Sequence, residues 1–311
     1  MPRPLRQWLV AMSPAHWGQW MTLALLWLIA CLPYRPAMRV GGVIGAVAYR
    51  LARKRRAIAR RNLELCFPES ASDERQRLLK ANFRYLGRGV AETALGWYGG
   101  ASVDRLDCEL HGWEHLEAAR ADGHPVILMS AHFMCVEIAA RLLGARVDVA
   151  GIYKPMHRRP VTDAAMRAAR SRNVADMVPR EDVRGIVRRL RRGLAIWYAG
   201  DQDYGRRHSV FVPFFGVEAA TVTALSGLAR MGQARVVPMF FHALPDDRGY
   251  AIVFEPALAD FPSGDEVADA RRMNEYVEAA VRRHPEQYFW VHRRFKRQAD
   301  RRDLYAEAVS H

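Results

Sequence analysis

The alternation of short apolar runs with helical stretches after about residue 100 is the feature that most constrains the fold. The runs HPVILMSAH (124–132), RVDVAGIYKP (146–155) and LAIWYAGDQDYG (194–205) each lead into a helical stretch or a turn. Strands of such continuous hydrophobicity are buried on both faces, and their alternation with helices is typical of parallel sheets. We therefore predict an α/β fold with a largely parallel central sheet flanked by helices.

The N-terminal third lacks these runs, and we divide the chain into a hydrophobic anchor (1–40), a basic amphipathic helical region (41–100) and an α/β catalytic core (101–311). The apolar stretch WMTLALLWLIACL (20–32) is shorter than the roughly 20 residues that cross a bilayer. Extending it to Trp17 and Tyr34 gives a marginal span with interfacial aromatic residues. We favour a retained membrane anchor or interfacial helix over cleavage at the lipoprotein-like processing site LIAC (28–31) or a buried core helix.

Positive charge is the main compositional signal, with 47 basic residues against 33 acidic ones and a net charge of +14. Six basic residues fall within positions 53–61, on a helical pattern that is typical of surfaces lying on anionic lipid. A solvated charged face explains the same pattern equally well. Excess positive charge suits an anionic membrane, an acidic carrier protein or nucleic acid. The apolar N-terminus and the lack of any standard nucleic-acid-binding signature argue against nucleic acid as a partner.

The sequence predicts no metal and no cofactor. The four cysteines lie far apart without a C-x-x-C pair, which argues against a zinc site or a redox motif. Asp201 and Asp203 resemble a metal-binding pair, but no further carboxylate or histidine clusters with them. There is no G-x-S-x-G nucleophile motif, and we interpret Cys135 as a packing residue.

Polar residues follow the predicted strands, where ligands bind in parallel sheets. His132 ends the first run, and Glu137 can reach back to it if His132 occupies the strand-to-helix turn. A histidine so placed can act as a general base whose tautomer the carboxylate fixes. The other candidate substrate-binding residues are Lys154 near the end of the second run, Arg170 and Arg172 in the following helix, and Asp201 and Asp203 near the end of the third run.

Five segments together resemble the bacterial lipid A biosynthesis acyltransferases, a family within the glycerolipid acyltransferase-like superfamily. The likeness extends from about residue 59 to residue 296, and RLARKRRAIARRNLELCFPES (50–70) also resembles the family's N-terminal signature. The H-x-x-x-x-E element is common to the superfamily, whereas the later segments are more specific. The five segments are SAHFMCVE (130–137), YKPMHRRP (153–160), WYAGDQDYG (197–205), SVFVPFFGVEAATVTALSGLAR (209–230) and PEQYFWVHRRFK (285–296).

The resemblance implies transfer of a fatty acyl chain from acyl carrier protein to the hydroxyl of a 3-hydroxyacyl chain on a lipid A precursor. It makes His132 the general base, Glu137 its orienting partner, and Arg170 and Asp201 two further essential residues. It implies no metal, and a location on the cytoplasmic side of the bacterial inner membrane. A related acyltransferase acting on a lysophospholipid or an amino-acid-based lipid is the alternative function.

Overall fold

The computed structural model describes residues 13–306, in which ten helices of eight residues or more surround a seven-stranded sheet and a separate hairpin. The helices are α1 Trp17–Ala30, α2 Tyr34–Leu51, α3 Arg53–Cys66, α4 Ser72–Tyr98, α5 Trp113–Arg120, α6 Val136–Gly144, α7 Pro160–Asn173, α8 Val183–Arg191, α9 Ala224–Gly232 and α10 Glu266–Arg283. The strands are β1 Asp107–His111, β2 Val126–Ser130, β3 Val149–Tyr153, β4 Asp176–Pro179, β5 Ala195–Ala199, β6 Ser209–Phe214, β7 Val217–Val222, β8 Arg235–Ala243 and β9 Gly249–Phe254. Shorter helical turns occur at Pro14–His16, Ala101–Asp104, Ala121–Gly123, Pro245–Asp247 and Pro285–Gln287.

The strand order of the large sheet is β1-β9-β8-β2-β5-β3-β4. Neighbouring strands run parallel throughout this order except at the β8–β9 pair, which is antiparallel. All five residues of the central strand β2 are buried, as expected for a strand covered by helices on both faces. The predicted α/β fold with a largely parallel sheet flanked by helices is confirmed.

The pairing of β2 with β5 determines where the polar residues after these strands lie. The two strands run parallel, with Ser130 opposite Ala199 at their carboxyl ends. Residues that follow these ends by equal distances therefore emerge side by side at one edge of the sheet. His132 and Asp201 each lie two positions beyond this last matched pair.

The N-terminal apolar stretch forms the 14-residue helix α1, which spans about 21 Å, whereas a bilayer core measures about 30 Å. The prediction of a marginal span from Trp17 to Tyr34 is therefore wrong. The chain breaks before Pro33, because the residue preceding a proline disfavours helical geometry, and α2 starts at Tyr34. Within residues 13–306, no helix combines the length and the apolarity that a bilayer crossing requires.

Glycine residues bring α2 and α4 into very close contact. A Cβ atom at Gly45 of α2 would lie 2.2 Å from the carbonyl oxygen of Phe83, and one at Gly87 of α4 would lie 2.1 Å from that of Gly41. The absence of side chains thus lets the two backbones touch. Since α4 also packs on α6, this contact fixes the N-terminal helices to the catalytic core.

The basic residues of α3 are only partly available to an anionic surface. Arg55 Nη1 donates to the carbonyl oxygen of Val291 at 3.2 Å, and Arg61 Nε donates to that of Leu304 at 2.9 Å. These two arginines therefore bind residues 285–306, called here the C-terminal segment, whereas Arg53 and Lys54 remain exposed. Whether the helix lies on lipid stays a prediction.

Two segments outside the large sheet are rich in aromatic residues. The segment 209–216 belongs to the antiparallel hairpin of β6 and β7. The segment 287–296 is irregular beyond Gln287, and its residues Tyr288, Trp290 and Phe295 are buried in the core. Both segments contain large aromatic residues that pack on each other, for example Phe215 against Trp290.

Candidate active site

His132 and Asp201 form a hydrogen-bonded pair at the carboxyl edge of the sheet. The distance from His132 Nδ1 to Asp201 Oδ1 is 2.6 Å, and the backbone N–H of His132 donates to Oδ2 of the same carboxylate at 3.1 Å. The Asp201 side chain is 1% exposed, whereas that of His132 is 33% exposed. His132 Nε2 makes no hydrogen bond with any of residues 13–306. The pair thus leaves one ring nitrogen free to receive a proton.

The charges of the two side chains stabilise each other. Burial alone lowers the pKa of His132, but the charge and hydrogen bond of Asp201 outweigh this effect, so the pKa lies above its usual value. Burial raises the pKa of Asp201, yet His132 and the other donors lower it to about 2. Asp201 is therefore an anion whose carboxylate accepts a hydrogen bond from the Nδ1–H group, and it stabilises the protonated imidazole.

The C-terminal segment holds this pair in place. The phenol of Tyr288 donates to Asp201 Oδ2 at 2.8 Å, and burial raises the pKa of Tyr288 well above its usual range. The backbone N–H of Phe289 donates to the carbonyl oxygen of His132 at 3.1 Å, and that of Met134 donates to Gln287 at 2.9 Å. The segment therefore fixes both the carboxylate and the turn that carries the histidine.

The space behind the pair is too small for a lipid chain. A cavity of about 10 Å³ lies there, and its lining includes Tyr288, His292 and Arg294. Arg294 is fully buried and donates to the carbonyl oxygen of Ala220 and to Thr221 Oγ1. A substrate must therefore approach His132 from its exposed side.

Glu137 does not pair with His132, and the prediction that it orients the histidine is wrong. Glu137 lies in the first turn of α6 with a side chain that is 8% exposed. It accepts hydrogen bonds from Trp97 Nε1 at 2.9 Å and from Arg170 Nε at 3.1 Å, and it also accepts one from Arg170 Nη2. The first turn of α6 directs this carboxylate toward α4 and α7, while Asp201 binds the histidine.

Arg170 binds Glu137, and its charge acts on His132. Two of its guanidinium nitrogens bind Glu137, and the third, Nη1, makes no hydrogen bond with any of residues 13–306. Its positive charge also reaches His132, whose pKa it lowers. Glu137 therefore orients a guanidinium group with one free donor near the histidine, a geometry that the bidentate fork of arginine favours.

The remaining predicted site residues do not contact the pair. Lys154 is exposed one residue beyond β3, and Arg172 donates to the carbonyl oxygen of Trp97 at 2.6 Å. Asp203, 1% exposed, binds the Arg297 side chain at 2.7 Å and its backbone N–H at 3.1 Å. Asp203 thus connects the β5 loop to the C-terminal segment, and a substrate-binding role for these three residues stays a prediction.

Sequence reasoning missed Tyr288, Arg294 and Trp97 as components of the site. Tyr288 and Arg294 lie within the family-like segment PEQYFWVHRRFK. The sequence therefore indicated that this segment matters, but it did not indicate which residues these two side chains contact. Nothing in the sequence distinguishes Trp97 from a core aromatic residue. Among residues 13–306, no three histidine, cysteine, aspartate or glutamate side chains form a group that could bind a metal ion.

A histidine–aspartate pair beside a free guanidinium donor, at the edge of a parallel sheet, defines a candidate site for base-assisted group transfer. Comparison with known proteins identifies the class. The sequence profile described as bacterial lipid A biosynthesis acyltransferase matches residues 6–297. The chain belongs to this family, and it is an acyltransferase of lipid A biosynthesis.

Individual relatives cover almost the whole chain. The lipid A biosynthesis lauroyltransferase of Escherichia coli (strain K12) is 38% identical over 92% of this chain and 93% of its own length. The palmitoleoyltransferase of the same organism is 36% identical over the same shares. A lipid A biosynthesis acyltransferase of Haemophilus influenzae is 35% identical over 93% of each chain. The family predicted from the sequence is confirmed.

Proposed function

We propose that the protein transfers a fatty acyl chain from acyl carrier protein to the hydroxyl of a 3-hydroxyacyl chain on a lipid A precursor. The observation that carries this proposal is the His132–Asp201 pair, with its partly exposed imidazole and free Nε2 atom. The activities for which the two Escherichia coli relatives are named, lauroyl and palmitoleoyl transfer, support a fatty acyl donor of this kind.

In the proposed reaction, His132 is the general base. Its Nε2 atom removes the hydroxyl proton as the oxygen attacks the thioester carbonyl, because a secondary alcohol is a poor nucleophile at neutral pH. A carbon–oxygen bond forms, the carbon–sulfur bond breaks, and the proton passes from Nε2 to the departing thiolate. Asp201 stabilises the imidazolium between these steps. The reaction as written uses only these groups and requires no cofactor.

Arg170 is the proposed donor to the oxyanion that forms at the thioester carbonyl. Its free Nη1 atom and its charge, which reaches His132, support this role. Removal of a single oxyanion donor typically lowers the rate by about 10²–10³-fold. Glu137, 8% exposed, is the positioning residue that holds the guanidinium.

Exposed basic residues near the site support an acidic donor. Lys154, His157, Arg158 and Arg159 lie together in the β3–α7 connection, at the same sheet edge as His132. None of these four side chains forms an ion pair or hydrogen bond with residues 13–306. Such a loop attracts an acidic carrier protein by charge complementarity.

We further propose that α1 and α2 lie in the surface of the inner membrane, on its cytoplasmic side. Trp17, Met21, Leu25 and Leu28 are exposed at helical spacing on α1. Val43 and Leu51 continue exposed apolar surface onto α2. Contiguous apolar surface of this kind marks protein or membrane contacts, and interfacial helices bury it among lipid headgroups.

The test is an acyl-transfer assay in detergent with an acyl carrier protein thioester and a lipid A precursor. Wild-type protein is expected to add one ester-linked acyl chain, as read by intact mass. His132→Ala is expected to abolish transfer, whereas His124→Ala, at the opposite end of β2, retains it. Equal activity in the two variants would contradict the proposed base, and loss of an acyl chain from another lipid after gene deletion would favour the alternative acceptor.

A further inference from the structure

A cleft of about 260 Å³ opens between α2 and α4, away from the His132–Asp201 pair. Three arginines line it, Arg39 from α2 and Arg84 and Arg88 from α4, together with the carboxylate of Asp247. One acidic group against three basic groups leaves the cleft positively charged. The cleft therefore suits an anionic ligand.

Most guanidinium nitrogens in this cleft lack an acceptor among residues 13–306. The side chains of Arg39 and Arg84 form no ion pair and no hydrogen bond with these residues. Arg88, with a side chain 10% exposed, has one ion pair to Asp247 at 2.8 Å, and its Nε and Nη2 atoms are buried without a hydrogen-bond partner among the described residues. Buried donors of this kind are normally satisfied, so unmatched ones point to a missing acceptor.

The nearest buried carboxyl group only partly offsets this charge. Burial raises the pKa of Glu92 to about 7, although the charge of Arg88 and the hydrogen bond from Tyr250 oppose that change. Glu92 is therefore substantially protonated near neutral pH. Beside its ion pair with Asp247, the charge of Arg88 is therefore only partly offset by Glu92.

The wall of the cleft is continuous with exposed apolar surface. Val43, which is 64% exposed, lines the cleft and lies on one helical face of α2 with the exposed residues Val40 and Val47. A ligand bound here meets arginine donors on one side and hydrocarbon on the other. A phospholipid has this combination of groups.

We propose that the Arg39–Arg84–Arg88 cleft binds the headgroup phosphate of an anionic membrane phospholipid, whose acyl chains lie along the Val40–Val43–Val47 face. The proposal rests on the membrane docking proposed above and is independent of the acyl-transfer chemistry.

A phospholipid in this cleft would orient the active site toward the membrane. Asp247 lies in the β8–β9 connection, beyond the carboxyl end of β8, and β8 runs parallel to β2. The cleft and His132 therefore share one edge of the sheet. The turn after His132 also packs on α4, since a Cβ atom at Gly89 would lie 3.2 Å from the carbonyl oxygen of Met134.

The test measures binding of the full chain to phosphatidylcholine vesicles with and without phosphatidylglycerol. Arg84→Gln is expected to reduce the preference for phosphatidylglycerol about tenfold, the loss typical of a hydrogen bond to a charged group. Arg120→Gln is the matched control, because Arg120 is exposed near the opposite edge of the sheet. Its effect should stay below about twofold, since exposed charges at a distance are screened.

A second variant fills the cleft without a change of charge. A Cβ atom at Gly42 would meet only the Arg84 side chain, at 3.9 Å, so Gly42→Leu is compatible with the helix packing and projects into the cleft. It is expected to reduce the preference for phosphatidylglycerol as Arg84→Gln does, with an unchanged circular dichroism spectrum. Arg39→Gln replaces it if the filled variant fails to fold.

Equal losses in Arg84→Gln and Arg120→Gln, or full preference in folded Gly42→Leu, would overturn the proposal in favour of general charge attraction. Unchanged vesicle binding with a raised KM for the lipid A precursor in phospholipid-free detergent would also overturn it, because the cleft would then bind the acceptor. A failure of the proposed function is distinguishable, since wild-type protein would show the vesicle preference without acyl transfer.

Discussion

The Nδ1 atom of His132 lies 2.6 Å from the Oδ1 atom of Asp201, although the two residues are 69 positions apart in the chain. The parallel register of β2 and β5 explains this proximity, since both residues follow a matched pair of strand ends. Asp201, rather than Glu137, therefore determines the tautomer and charge of the histidine.

Asp201→Asn is expected to lower kcat by about 10²–10⁴-fold, because an amide cannot stabilise the imidazolium and can favour the wrong tautomer. The measurement is acyl transfer at saturating substrate, with folding checked by circular dichroism. Asp203→Asn is the matched comparison, since Asp203 binds Arg297 instead of the histidine. A smaller loss in Asp201→Asn than in Asp203→Asn would contradict the assignment.

Double-mutant cycles on the free energy of unfolding are expected to show coupling between Glu137 and Arg170, and no coupling between Glu137 and His132. Glu137→Gln removes an acceptor that two nitrogens of Arg170 use, so coupling with Arg170→Gln should exceed about 1 kcal/mol. Coupling between Glu137→Gln and His132→Gln should stay within about 0.5 kcal/mol, because no hydrogen bond joins these side chains. Strong coupling of Glu137 to His132 would restore the pairing predicted from the sequence.

Tyr288→Phe is expected to reduce kcat about tenfold or more, because it removes the hydrogen bond to the Asp201 carboxylate. The matched control is Tyr305→Phe, in which the lost hydroxyl accepts from the Phe295 backbone and donates to Asn62. Both variants lose a buried hydroxyl that holds the C-terminal segment, so both should lower the Tm. Only Tyr288→Phe should change kcat, and an equal loss of kcat in the two variants would indicate a purely structural role.

Gly45→Ala is expected to destabilise the protein by about 1–3 kcal/mol, because the added Cβ atom would lie 2.2 Å from a backbone oxygen of α4. Gly42→Ala, three residues earlier on the same helix, adds its Cβ atom in ordinary contact with Arg84 and should be neutral or stabilising. Chemical denaturation measures both values. Similar stabilities for the two variants would show that α2 and α4 do not pack as closely as described.

The sequence was sufficient for the fold class, because buried parallel strands have a near-continuous apolar pattern that local inspection detects. The sequence was insufficient to identify the hydrogen-bond partner of His132. Choosing between Glu137 and Asp201 requires knowing that β5 lies next to β2, and this strand order depends on tertiary packing. The strand-to-helix turn before Glu137 was predicted, but the direction of the Glu137 side chain follows from its contacts with Trp97 and Arg170.

At the N-terminal and C-terminal segments too, composition alone was insufficient to predict the structure. Apolar composition predicted a marginal span from Trp17 to Tyr34, but the chain breaks before Pro33 and Tyr34 starts a separate helix. The segment 287–296 has a basic composition typical of an exposed tail, yet Arg294 is buried and Tyr288 binds Asp201. Burial of charged residues depends on partners far away in the chain, which composition does not show.

The most direct test of the central claim, that Asp201 is the partner of His132, is a nuclear magnetic resonance titration of histidine-labelled protein. Loss of one signal in His132→Gln assigns the His132 resonance. Asp201 raises the pKa of His132 above its usual value, so the protonated form should persist to higher pH in wild type than in Asp201→Asn. We expect the pKa of His132 to fall most in Asp201→Asn and to change less in Glu137→Gln. A larger fall in Glu137→Gln would contradict the assignment.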